Sequence, residues 1–120
     1  MRRQRQMSDC LFCKIVNKEI PAEIVYEDDL VLAFKDINPQ APQHLLIIPK
    51  KHIDKVSNLK KQEGDLISRM VLKANEIADL QGLADEGYRL VINCGKNAGQ
   101  EVFHLHLHLL GGRKFTWPPG

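Results

Sequence analysis

A chain of 120 residues with 43% hydrophobic and 27% charged residues is sized for one domain around one modest core, with an ordinary globular composition. Its formal charge of +2 gives no argument for nucleic acid or a membrane surface, and no apolar run approaches the roughly 18 residues that cross a bilayer. Three cysteines, an odd number, speak against a disulfide framework and for a reducing, cytoplasmic setting.

Arg2, Arg3 and Arg5 head a short segment with no apolar stretch behind it, which excludes a secretory signal. Residues 1–7 are expected to be a disordered, solvated tail before a domain over residues 8–120, with Met7 an alternative start. Ser8-Asp9 offers a cap to a short helical turn from Cys10 to Val16, and Pro21 ends that element. Ile24 to Glu27 reads as a strand, Asp28-Asp29 as a turn, and Leu30 to Asp36 as the antiparallel partner. Leu30, Leu32, Phe34 and Asp36 share one face, so an apolar row ends in a carboxylate.

Two prolines make residues 37–43 a loop, and His44 to Ile48 follows as a buried strand closed by Pro49. Ile67, Met70, Val71, Ala74, Ile77 and Ala78 recur at helical spacing within one long helix, expected from about Leu59 to Gln81 and stopped by Gly82. Gly87 to Asn93 alternates as a strand, and residues 94–100 form a glycine-bearing loop before the last strand, His104 to Leu110. The order predicts one α+β domain, an antiparallel sheet with a helix on one face.

That last strand holds three of the five histidines. Alternation puts His104, His106 and His108 on one side and Leu105, Leu107 and Leu109 in the core. Strand faces rarely repeat histidine, so the pattern points to catalysis or a metal rather than to simple exposure. Gly95 and Gly99 allow main-chain N–H groups to converge on an anion, and their place beside three imidazoles favours phosphate. Asn93 and Asp36 stand at strand ends, where either an Asx turn or a ligand contact suits them; Asp36 matches the paired hydroxyls of a ribose. Cys10 and Cys13, with His52 and one histidine of the triad, can close a Cys₂His₂ zinc site, or else they pack as two thiols. Cys94 reads as structural.

The pattern His-φ-His-φ-His-φ-φ over residues 104–110 resembles the signature of the histidine-triad (HIT) superfamily of nucleotide hydrolases and transferases. Similarity to its Hint branch runs through Phe12-Cys13-Lys14-Ile15, Lys18-Glu19-Ile20-Pro21, Asp36-Ile37, Pro39-Gln40-Ala41-Pro42, His44, Ile48-Pro49-Lys50-Lys51-His52-Ile53, Gly99-Gln100 and Leu110-Gly111-Gly112-Arg113 to Trp117-Pro118-Pro119-Gly120. The resemblance implies a five-stranded antiparallel sheet, one long and one short helix, and sheets joined across a homodimer. It implies a purine nucleoside phosphoramidase that takes AMP or GMP linked to an amine, without nucleic-acid or membrane partners.

By position, His106 becomes the nucleophile, His108 contacts the phosphate, and His44 and His104 orient the imidazoles. Asp36 holds the ribose, Phe12 and Ile37 line the base pocket, and Asn93, Gly99 and Gln100 surround the phosphate. Trp117 reaches the partner subunit's site. Glu101 replaces the serine of animal members, as in bacterial ones, and either repels phosphate, holds the leaving amine or turns away. A structural zinc is expected on Cys10, Cys13, His52 and His104, and the chemistry needs no metal. The leaving amine takes a proton from His104 or from the substrate. Two rivals are a metalloprotein using the triad as ligands and a nucleotide-binding interaction protein with vestigial hydrolysis.

Overall fold

Asp28 closes the first hairpin: its Oδ1 accepts the N–H groups of Leu30 and Val31 at 2.8 and 2.9 Å. The turn joins β1 (Ile24–Glu27) to β2 (Val31–Lys35), and β3 (Gln43–Pro49) follows after the proline-bearing loop. The computed structural model describes residues 9–120; the expected tail over residues 1–7 lies outside the described residues. A short helix α1 (Leu11–Val16), a long helix α2 (Gly64–Leu80), β4 (Tyr88–Val91) and β5 (Leu107–Gly111) are the other helices and strands that position the site. The strands form one five-stranded sheet in the order β1-β2-β3-β5-β4, every neighbouring pair antiparallel.

Period-two alternation divides the sheet into two buried faces. Val31, Ala33, Leu45, Ile47, Leu105, Leu107 and Leu109 pack under Met70, Ala74, Ile77 and Ala78 of α2. Leu32, Phe34, Leu46 and Ile48 face the other way and meet Phe12 and Ile15 of α1. The sequence predicts a helix on one face only; here the six residues of α1 cover part of the second. His44, opposite Leu110, and His108, opposite Leu46, belong to that second face.

Two elements differ from expectation for identifiable reasons. Helix α2 starts at Gly64 rather than near Leu59, because the Glu63 carboxylate accepts the Lys60 N–H at 2.8 Å and closes a separate 3-10 turn over Lys61–Glu63. Strand β5 starts at Leu107 rather than His104. The N–H of Leu105 donates to Ile53 O at 2.6 Å, so the first residues of the triad are held by the segment after β3 and not by the ladder. The stop at Gly82 occurs as expected, with φ of 76° and the Leu83 N–H donating back to Ala78 O at 2.8 Å.

Past β5, Gly112 has φ of 90°, and a Cβ there would lie 2.9 Å from the Pro42 ring. Only glycine lets the strand end pass so close to the loop before β3. Among the described residues, no helix is long and apolar enough to cross a membrane.

Candidate active site

Four of the five histidines occupy the α1 face, and their hydrogen bonds fix which nitrogen of each ring carries the proton. At His106, Nδ1 donates to the main-chain oxygen of His104 at 2.7 Å. Its Nε2 therefore keeps a free lone pair. At His44, Nδ1 accepts the Gln40 main-chain N–H at 3.0 Å, so Nε2 bears the hydrogen. That Nε2–H points at His108 Nδ1, 2.9 Å away, with Asp36 Oδ2 next nearest at 3.4 Å. His108 is thereby an acceptor at Nδ1 and a donor at Nε2. A lone pair on His106 thus stands beside an N–H on His108, their ring centroids 5.0 Å apart.

All these rings favour the neutral form. Burial pushes His108 down to about 4, the neighbouring His106 and His44 add to it, and Asp36 opposes. Burial also lowers His106, against its bond to His104 O and the Asp36 charge. His44 is lowered by burial with Asp36 again opposing. Phe12 stands edge-on to His106 at 5.1 Å between centroids, and to Phe34 at 5.4 Å. It acts as a wedge that keeps the His106 ring upright. Among the described residues, every buried side-chain nitrogen and oxygen has a partner, so these orientations are set before any ligand arrives.

His104 is turned the other way and is fully buried. Its Nε2 donates to Pro49 O at 2.8 Å, which leaves the Nδ1 lone pair 3.4 and 3.5 Å from the sulfurs of Cys10 and Cys13. His52 repeats the arrangement: Nε2 donates to Asp54 Oδ1 at 2.7 Å, and Nδ1 faces Cys13 Sγ at 3.2 Å. Tetrahedral zinc, bonded at about 2.3 Å to sulfur and about 2.05 Å to nitrogen, separates such ligands by about 3.6 Å. The cluster has that spacing and the expected outer hydrogen bonds from the second ring nitrogens. In the absence of a cation the thiols are the hydrogen-bond partners of the two Nδ1 atoms, and burial pushes the Cys13 thiol up to about 12. These four residues fit a metal.

Asp36, His44 and His108 also converge, within 4.8 Å of one another. They do not fit one. The Gln40 N–H occupies His44 Nδ1, so the nitrogen facing Asp36 and His108 carries a hydrogen and has no lone pair to give. That argument removes Asp36, His44 and His108 as a three-ligand metal site.

Several expected roles are altered by the geometry. His104 cannot give its proton to a leaving amine, because both its nitrogens are committed inside the protein; only its main-chain oxygen serves the site. Three N–H groups of the glycine loop are already paired within the protein. Gly95 N–H donates to Gln100 Oε1 at 2.8 Å, Gly99 N–H to Lys96 O, and Gln100 N–H to Gly95 O. The Gln100 amide further donates to Asp54 O and Val102 O, which makes it a buried staple between two loops and not a phosphate contact. Phe12 is buried against His106, whereas Ile37 is 96% exposed.

Asp36 Oδ1 caps its own turn on the Asn38 N–H at 2.8 Å, and Oδ2 remains beside His44. Asn93 is half-buried beyond the end of β4. Glu101 lines a cavity of about 430 Å³ with Cys10, His52, Asp54 and Phe103, on the side of the cysteine cluster. Trp117 is 83% exposed. Sequence reasoning missed Gln40, Pro49 and Asp54. The first two act through main-chain atoms and leave no signal in residue type; the third is legible only as an acid two residues after His52.

A five-stranded antiparallel sheet, a long and a short helix, and a face on which imidazoles cluster beside the last strand together define an α+β class of fold. The comparisons agree. The model of the HIT domain matches residues 17–115, and the chain belongs to that family. It is 57% identical over 112 residues to an uncharacterised HIT-like protein of Synechocystis, covering 93% of this chain and 97% of that one. The crystal structure of a HIT family hydrolase from Legionella pneumophila is 55% identical with a TM-score of 0.91, over 92% of this chain and 99% of that one. A histidine triad nucleotide-binding protein from Candida albicans is 33% identical with a TM-score of 0.77, over 92% and 84%.

Proposed function

We propose that the protein hydrolyses purine nucleoside phosphoramidates of the AMP–amine type through a nucleotidyl intermediate on His106. The observation that carries the reading is the neutral His106 ring, its Nδ1 tied to His104 O and its Nε2 lone pair left free, with the Nε2–H of His108 beside it. The names of the Legionella hydrolase and the Candida nucleotide-binding protein support it.

In the first step His106 Nε2 attacks the α-phosphorus while the phosphorus–nitrogen bond to the amine breaks. The electron pair leaves with that nitrogen, which takes a proton from water or from the substrate itself. The Nε2–H of His108 supports charge on a non-bridging oxygen. Water then cleaves the bond between phosphorus and His106, releasing the nucleotide and restoring the lone pair. Asp36 Oδ2 binds the ribose hydroxyls and Ile37 meets the purine. Asn93 flanks the phosphate.

Cys10, Cys13, His52 and His104 would hold a structural zinc, whose chemistry is to tie α1 to the segments after β3 and before β5. The active protein is a homodimer in which exposed Trp117 reaches the partner's site.

Mass spectrometry of the protein after brief exposure to an AMP-amide tests the reaction. A nucleotidyl adduct mapped to His106 is the expected result. Tight nucleotide binding without an adduct or turnover would instead support a binding protein, and an adduct on His108 would mean that the wrong ring has been chosen.

A further inference from the structure

The proton on His44 Nε2, and hence the donor on His108 that faces substrate, is held there by the main-chain N–H of Gln40 on the opposite ring nitrogen, with the Asp36 carboxylate beside Nε2. Gln40 sits in the exposed loop between β2 and β3, where a main-chain donor needs an external hold to stay in place. Its side-chain amide donates to Asn38 O at 3.0 Å, and its carbonyl accepts Arg113 Nε at 3.1 Å. Arg113 in turn belongs to the C-terminal segment. Its Nη1 donates to Lys114 O at 3.0 Å, and its guanidinium lies 4.1 Å from the centre of the Phe115 ring. Arg89 reaches the same ring from 5.0 Å and donates to Thr116 O at 2.9 Å.

A continuous run of contacts therefore leads from Phe115 through Arg113, Gln40 and His44 to His108. We propose that Arg113 is a positioning residue: by holding Gln40 it selects the tautomers of His44 and His108, and it makes a seated C-terminal segment a condition of a competent site.

The physical argument is one of degeneracy. A neutral imidazole without a fixed partner populates both tautomers, and the pair His44–His108 can carry its hydrogens in two opposite directions. In one, His108 presents Nε2–H to the ligand; in the other it presents a lone pair, which repels a phosphate oxygen. The Gln40 N–H fixes the direction at His44 Nδ1, and the Asp36 carboxylate 3.4 Å from His44 Nε2 favours the same one. Arginine suits the task because its planar fork bonds Gln40 through Nε and Lys114 through Nη1 while stacking on Phe115. Lysine lacks that geometry.

The inference rests on the proposed role of His108, so the deciding measurement uses no substrate. Nitrogen-15 NMR of the imidazoles in the full-length protein at pH 7 reads each tautomer directly. Wild type should show His108 as Nε2–H; Arg113→Ala and Arg113→Lys should each show a mixture of tautomers at His44 and His108, with His106 unchanged. Phe115→Leu, which removes the stacking surface and keeps Arg113, should show a smaller change in the same direction. With an AMP-amide, Arg113→Ala should lose about 5- to 10-fold in kcat with little change in KM, the loss of about one net hydrogen bond. Unaltered His108 tautomers in all three variants, or a wild-type His108 that carries its hydrogen on Nδ1, would overturn the proposal. Altered tautomers in a protein that ignores AMP-amides would keep it and remove the phosphoramidase reading instead.

Discussion

At the scale of single residues, the site is a set of proton positions. His106→Asn removes the nucleophilic ring nitrogen and leaves a smaller polar side chain whose amide can still donate to His104 O. It should keep the fold by circular dichroism and lower single-turnover hydrolysis by about three orders of magnitude or more, with no adduct in the mass spectrum. The depressed His108 has a further consequence for stability. Its folded pKa of about 4 lies below the ordinary value near 6.5, so the unfolded chain binds the proton more tightly. Stability from this ring is intact above pH ~6.5 and is lost as the pH falls from there towards about 4. Melting temperature measured across that window should fall less steeply in His108→Asn than in wild type; equal slopes would show that the ring is charged in the folded protein.

Among the elements, α1 matters out of proportion to its six residues, since it brings both cysteines and Phe12 to the sheet. A helix so short has little stability of its own, and the Cys₂His₂ cluster is the natural anchor. Elemental analysis of untagged protein should give about one zinc per chain, as one four-ligand site requires. Chelation should raise amide exchange over residues 11–16 and near His106, and expose Cys10 and Cys13 to alkylation. Unchanged exchange and resistant thiols after chelation would leave the cysteines as packing residues. The strands, the stripe of α2 and the cysteine pair were legible in the sequence because period and spacing encode them. The true start of β5 was not, because the alternation of His and Leu continues through residues that bond to Ile53 and not to a strand. The expected anion cradle is altered for a similar reason: glycines announce a turn, but not that the N–H groups of Gly95, Gly99 and Gln100 are paired within the loop.

For the molecule as a whole, the sheet ends in two unlike edges. β1 is interrupted by an irregularity between Ile24 and Tyr26, whereas β4 pairs with β5 in unbroken register and is half-buried throughout. A regular edge can be extended by a second copy, so β4 is the edge on which two sheets would join. Sedimentation at micromolar concentration should show a dimer; a monomer would remove this assembly. If the partner's Trp117 completes the site, truncation after Arg113 should slow the turnover of bulky amines more than that of simple ones.

His104 holds two offices in one residue, and they are separable. Its ring serves the cysteine cluster, while its bond to His106 comes from the main chain, which every amino acid possesses. Replacing the ring therefore deletes one member of that cluster without deleting the acceptor that orients the His106 ring. A lineage could exchange Cys10, Cys13 and the ring at position 104 for apolar packing and keep its chemistry, whereas position 106 has no such freedom. On the proposed reading, inheritance of a metal and inheritance of the reaction need not travel together, although His104 takes part in both arrangements.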